Sequence, residues 1–163
     1  MPNKEAKDQQ WMQKALQESK KAAENGELPI AAIVVAGETE LIRSQTQTGR
    51  RKSMTGHAEL WALIELQRRV YSKDRPVTIY TTLEPCLMCL GAAMQCGVDE
   101  IVFAMEAAPD GGTRYVNSII EGGQKAPEIR KGICESEARS IMETFIAENP
   151  THPGIGYARS LVK

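Results

Sequence analysis

Short β-rich runs alternate with longer segments whose apolar residues recur at helical spacing, and this alternation constrains the fold most. Pro29-Ile30-Ala31-Ala32-Ile33-Val34-Val35 is an apolar run of strand length. Glu40 to Arg43 follows as a hairpin strand through a turn near Gly37. Val77 to Thr82, Glu100 to Met105 and a short stretch near Ile129 complete the strand candidates. Helical periodicity marks Asp8 to Asn25, which carries Trp11, Ala15, Leu16, Ala22 and Ala23 and stops at Gly26. It marks His57 to Tyr71, with Thr55 as N-cap, and a segment opened by Pro85 and ending near Gly97. Thr113 to Glu121 and Ser136 to Glu148 also read as helices. Strands joined through helices predict an α/β chain in three layers, α/β/α, around a central mixed sheet of about five strands. The first two strands are expected to be antiparallel and the later ones parallel. Residues 1–163 suit one domain, with 149–163 as an irregular tail or a lid.

Composition narrows the function. Lys plus Arg is 20, Asp plus Glu is 21, and the formal net charge is −1. A general nucleic-acid binder usually needs a strongly basic face, so this balance weighs against one. No apolar run approaches the ~20 residues of a membrane span. The polar start, Met1 to Asp8, predicts no secretory leader. Four cysteines under these conditions suggest a reducing, cytoplasmic setting, where paired cysteines more often mean metal or catalysis than a bridge.

The chemistry concentrates in His57-Ala58-Glu59 and, 28 residues after His57, Pro85-Cys86-Leu87-Met88-Cys89. Cys86 and Cys89, at i and i+3 in a first helical turn, place both sulfurs on one face. The helix N-terminus favours their thiolate forms. His57 supplies a nitrogen ligand, and three protein ligands leave a fourth tetrahedral position open, the mark of a catalytic zinc site. Two thiolates cancel the charge of Zn²⁺ and weaken its acidifying effect on water. A nearby carboxylate, Glu59, is then needed to take the proton. One tension remains: positions i and i+2 of a regular helix point nearly opposite ways, so His57 and Glu59 can share a site only at the helix N-terminus.

Blander readings are weaker. A redox C-x-x-C leaves His57 and Glu59 unexplained. A structural zinc site wants a fourth ligand, and Cys96, Cys134 and His152 are the only other Cys or His residues. Cys96 and Cys134 read as small core residues. Trp11 and Trp61 read as packing residues rather than base-stacking platforms.

The H-x-E…P-C-x-x-C pattern is the signature of zinc nucleobase deaminases. On it, and on Thr82-Leu83-Glu84-Pro85-Cys86-Leu87-Met88-Cys89, Gly91-Ala92-Ala93-Met94, Glu100-Ile101-Val102-Phe103 and Gly132-Ile133-Cys134, the chain resembles the cytidine deaminase-like superfamily. It is nearest the branch of bacterial tRNA adenosine deaminases and small guanine deaminases. The resemblance runs from the first helix to Glu148. It implies a cytidine deaminase-like fold, Zn²⁺ held by His57, Cys86 and Cys89, and hydrolytic deamination. Glu59 would move the proton from the water to a ring nitrogen and then protonate the departing ammonia. The backbone N–H groups of Ala58 and Cys86 become candidate substrate contacts. A homodimer is implied as well.

One departure bears on the substrate. Purine-acting relatives typically carry an Asn in the loop before the His-x-Glu motif, where Thr46 falls here, between Gln45 and Gln47. Asp110 and Asn117 are further candidates to read exocyclic groups. Arg43, Arg50, Arg51 and Lys52 could meet a phosphate, but so short a basic run more often solvates a loop. The tail carries only Arg159 and Lys163 as strong positive charges, and its Tyr157 could close over a pocket. These points favour a small amino-heterocycle, a purine-like free base or nucleoside such as guanine. Adenosine-to-inosine deamination in tRNA is the alternative, and a non-catalytic zinc-stabilised partner subunit the second. Retention of Glu59, which zinc-dependent folding does not need, argues against the last.

Overall fold

The computed structural model describes residues 3–69, 75–121, 123 and 125–163. Helix α1 spans Lys4–Glu24, four residues ahead of its expected start, because Asn3 caps it and its Oδ1 accepts the Glu5 N–H at 3.3 Å. Met12, Ala15, Leu16, Ser19 and Ala22 line its buried face. Gly26, at φ +76°, ends it in the left-handed region. Strands β1 (Ala31–Ala36) and β2 (Thr39–Gln45) form the expected hairpin, turned at Gly37 with φ +61°. Every residue of β1 is buried, whereas β2 lies at the sheet edge and mixes exposed with buried positions.

Helix α2 (Ala58–Arg68), strand β3 (Val77–Leu83), helix α3 (Leu87–Gln95) and strand β4 (Glu100–Met105) follow. The predicted end of α2 at Tyr71 lies outside the described residues. Thr113 to Glu121 divides into a 3-10 turn, Thr113–Tyr115, and a short helix α4, Val116–Ile120. Strand β5 (Glu128–Lys131) and helix α5 (Glu135–Glu148) come next. The tail is not irregular: Ile155–Leu161 form helix α6, which packs on α5 and buries Ala158 and Leu161. Those two apolar residues stand three apart, the spacing that repays one short helical face.

The sheet order is β2-β1-β3-β4-β5. β1 is antiparallel to both β2 and β3, and β3, β4 and β5 are parallel, so the mixed sheet is as expected. α1 and α5 cover one face and α2 and α3 the other. Trp11 packs in the core 6.3 Å from the Tyr80 ring. Trp61 packs instead on the outer side of α2, half-buried, with the Arg51 guanidinium 3.9 Å over its ring. Cys96 and Cys134 lie at the margin of the core, capping α3 and α5.

A buried polar network fastens α1 to the sheet. Tyr80 Oη donates to Asp8 Oδ1 at 2.9 Å. Arg130 on β5 grips the same carboxylate through Nε at 2.6 Å and Nη2 at 3.0 Å, a two-pronged pairing. Arg130 also reaches Glu100 and Glu128.

Candidate active site

The carboxyl end of β3 and the N-termini of α2 and α3 converge on one point. In open α/β sheets that end of the strands is where ligands collect. His57 is the N-cap of α2, with extended backbone (φ −73°, ψ 145°). Cys86 is likewise the N-cap of α3 (φ −67°, ψ 171°), and Cys89 stands three residues inside it. His57 is therefore outside the helix that carries Glu59, which removes the tension between positions i and i+2.

Cys86 Sγ lies 3.5 Å and Cys89 Sγ 3.6 Å from His57 Nδ1. The three donor atoms all fall within 4.8 Å of one another, so they can hold a single ion. Two thiols and an imidazole are the donor set that suits zinc, and three protein ligands leave a coordination position open. The hydrogen bond from Cys89, helped by His57, holds the Cys86 thiol down to about 4 against the opposing effect of burial. The same bond, with burial, pushes Cys89 up, and hydrogen bonding to Cys86 raises His57. Protons held among these three groups are what a bound cation displaces.

Glu59 is buried beside the cluster, and loss of hydration raises its carboxyl above the usual range. Its Oε2 lies 3.8 Å from Cys89 Sγ and its Oε1 3.0 Å from Thr81 Oγ1. Thr81 Oγ1 is also 3.1 Å from the Leu83 carbonyl. The single Thr81 hydroxyl hydrogen is shared between the Glu59 carboxyl and the Leu83 carbonyl. A carboxyl whose proton affinity burial has raised suits a group that must both take and give a proton.

A cavity of about 530 Å³ opens beside these groups. His57, Ala58, Glu59 and Cys86 form its floor, and Thr46, Asp110 and Tyr157 stand among its walls. Ala58 is the first residue of α2, so its N–H has no acceptor within the helix. Thr46 is buried and its Oγ1 donates to the Gly56 carbonyl at 3.2 Å, which leaves only lone pairs for a ligand. Tyr157, from α6, donates to Asp110 Oδ1 at 2.9 Å. Asn117 is not brought here: it is exposed on α4 and lines no part of the cavity. Its helix turns away after the 3-10 segment, and proximity in sequence to Asp110 did not translate into proximity in space.

Two carboxylates essential to the site's shape escaped the sequence reading. Glu84 is buried and accepts from the Ala107 and Thr113 N–H groups at 3.0 and 3.2 Å, and from the Thr113 hydroxyl. Gly111 packs against it, and a Cβ there would come within 2.1 Å of the carboxylate. Glu27, also buried, accepts from Gly49 N at 3.0 Å and Arg50 N at 2.7 Å. A carboxylate satisfied by backbone amides has no signature in sequence. His152 went unassigned as well: it lines the cavity, takes the Gly154 N–H at Nδ1 (2.9 Å) and meets the Gly26 carbonyl at Nε2 (3.0 Å).

This three-layer fold, with His57, Cys86 and Cys89 clustered at the floor of a cavity, defines a zinc-dependent deaminase. Residues 5–105 match the cytidine and deoxycytidylate deaminase zinc-binding region, and the chain belongs to that family. It is 28% identical to the tRNA-specific adenosine deaminase of Bacillus subtilis (strain 168), over 86% of this chain and 89% of that protein. A structure from work on A-to-I editing by tRNA:A34 deaminases superposes with a TM-score of 0.72 at 27% identity, over 81% of this chain and 98% of that one. The guanine deaminase of Nitrosomonas europaea shares the fold, with a TM-score of 0.74 at 18% identity, covering 90% of this chain and 86% of that one. The enzyme class is thus a hydrolase of C–N bonds. Among the described residues no helix is long and apolar enough to cross a membrane.

Proposed function

We propose that the protein converts adenosine to inosine in a transfer RNA, with water as co-substrate and ammonia as the second product. The observation that carries the chemistry is Glu59, buried on the cavity floor beside the three metal donors. The substrate assignment draws support from a tRNA-specific adenosine deaminase matched along most of its length. It displaces a free purine base as first choice.

His57, Cys86 and Cys89 hold the metal. When bound, zinc supplies Lewis acidity that activates water and offsets developing negative charge. Glu59 takes a proton from the attacking water and delivers it to the ring nitrogen next to the amino-bearing carbon, then takes the remaining proton from the added hydroxyl and passes it to the leaving amine, which departs as ammonia as the carbonyl forms. Thr81 keeps the Glu59 carboxyl aimed into the cavity. The Ala58 N–H and the Thr46 oxygen are the polar groups set to orient the base, and Tyr157 with Asp110 narrows the entrance.

A purine free base is the second reading, and one observation favours it: α6 lies over the cavity, which suits a small ligand better than a polymer. Assembly as a homodimer is part of the proposal. Leu87, Met88 and Tyr115 are large exposed apolar side chains close to the Cys86 end of α3, a face suited to a second copy. Ammonia release from an anticodon stem-loop, adenosine and guanine, with Glu59→Gln as blank, tests the substrate. Turnover of the stem-loop alone supports the first reading, and turnover of guanine alone replaces it with the second.

A further inference from the structure

A second concavity, of about 560 Å³, lies on the other side of the loop between β2 and α2. The loop is a wall with two faces. Thr46, Thr48, Gly49 and Met54 line the zinc cavity, whereas Gln47, Arg50 and Arg51 line the outer groove. Buried Glu27 fixes this wall by accepting the Gly49 and Arg50 amides. The groove is therefore a formed feature next to the active site, not a passing shape of a loose loop.

Its charge is opposite to that of the whole molecule. Arg43, Arg50, Arg51 and Arg68 line it against Glu18 and Glu65, while the full chain carries −1. Three of the arginines are engaged: Arg43 with Glu40 and Glu18, Arg68 with Glu65, and Arg50 with Glu27 at 3.6 Å. Arg51 differs. Among the described residues no carboxylate pairs with it, its Nε donates to Gln47 Oε1 at 2.6 Å, and its guanidinium stacks 3.9 Å above the Trp61 ring. Stacking and one hydrogen bond orient the guanidinium without neutralising it, which leaves a directed fork for an anion. Beneath it the Trp61 Nε1–H is buried and lacks a hydrogen-bond partner among the described residues.

We infer that this groove binds the phosphodiester backbone of the RNA strand whose nucleotide enters the zinc cavity, with Arg51 as the phosphate contact. The inference rests on the transfer-RNA reading and adds to it a path for the strand: over the wall that separates cavity from groove. It also explains how a chain with no net positive charge could hold a polyanion, by a local surplus rather than a global one.

Binding of a fluorescent anticodon stem-loop to the full-length protein, measured against salt, tests this. Arg51→Ala is expected to weaken binding and to lower the slope of log Kd against log salt by about one, and Arg50→Ala to change it less, because Glu27 already pairs with Arg50. Arg139→Ala, the same charge loss on α5 beside Glu135, controls for net charge and is expected to keep the wild-type slope. Wild-type affinity and slope in Arg51→Ala, with the stem-loop still deaminated, would overturn the groove and leave the RNA reading intact. A wild-type protein that binds no stem-loop and deaminates only a free base would overturn both.

Discussion

Tyr157 Oη donates to Asp110 Oδ1 at 2.9 Å and so ties α6 to the loop after β4, across the entrance of the zinc cavity. Burial, more than the adjacent carboxylate, raises the Tyr157 phenol above its ordinary range, so it stays a donor through neutral pH. Tyr157→Phe removes this bond and keeps the ring. A solvent-exposed hydrogen bond of this kind contributes about 1 kcal/mol net, so roughly a fivefold fall in kcat/KM is expected. Steady-state kinetics with the substrate found active decides it. Unchanged kinetics would remove the closing role from Tyr157.

Glu59→Gln keeps the shape of the side chain and removes its base. Turnover is expected to fall by ~10² or more while bound zinc and the melting temperature hold. Metal analysis beside the ammonia assay separates the two effects. Retained turnover would mean that another group moves the proton.

Cys86→Ala deletes one of three protein donors. Zinc stoichiometry after dialysis is expected to fall well below one per chain, because two remaining donors hold the ion poorly. Tight stoichiometric zinc in this variant would mean that the ligands lie elsewhere.

Arg130→Leu leaves the buried Asp8 carboxylate with only the Tyr80 hydroxyl. Breaking a buried pair from one side costs about 3–5 kcal/mol. Urea unfolding measures it, and a loss below 1 kcal/mol would show that Asp8 finds water or another cation.

Glu100 gives the fold a dependence on acid. Burial opposes its ionisation, but hydrogen bonds from Thr78, Lys4 and Arg130 outweigh burial and hold the carboxyl down to about 2, against 4.5 when unfolded. Its contribution is complete above about pH 4.5 and is lost as pH falls toward 2. Wild type is expected to lose more stability across that window than Glu100→Gln. Parallel curves would assign the acid sensitivity to other carboxylates.

Much of this was legible from residue order alone. Period-two and period-3.6 patterns are local, so the strands, their alternation with helices and the parallel half of the sheet follow from the chain itself. His57, Glu59, Cys86 and Cys89 were legible for a related reason: metal and proton chemistry demands particular atoms, and short spacing puts them at two helix starts. Only the tertiary structure decided the rest. It made His57 an N-cap rather than a helical residue, so that it can share a site with Glu59. It folded 149–163 into α6 because Ala158 and Leu161 gain burial there, which no local pattern foretold. It carried Tyr157 to Asp110 and left Asn117 in solvent. It set the Arg51 guanidinium on the Trp61 ring. Contacts between residues far apart in the chain depend on how elements pack, and packing is settled by the whole core rather than by neighbours in sequence.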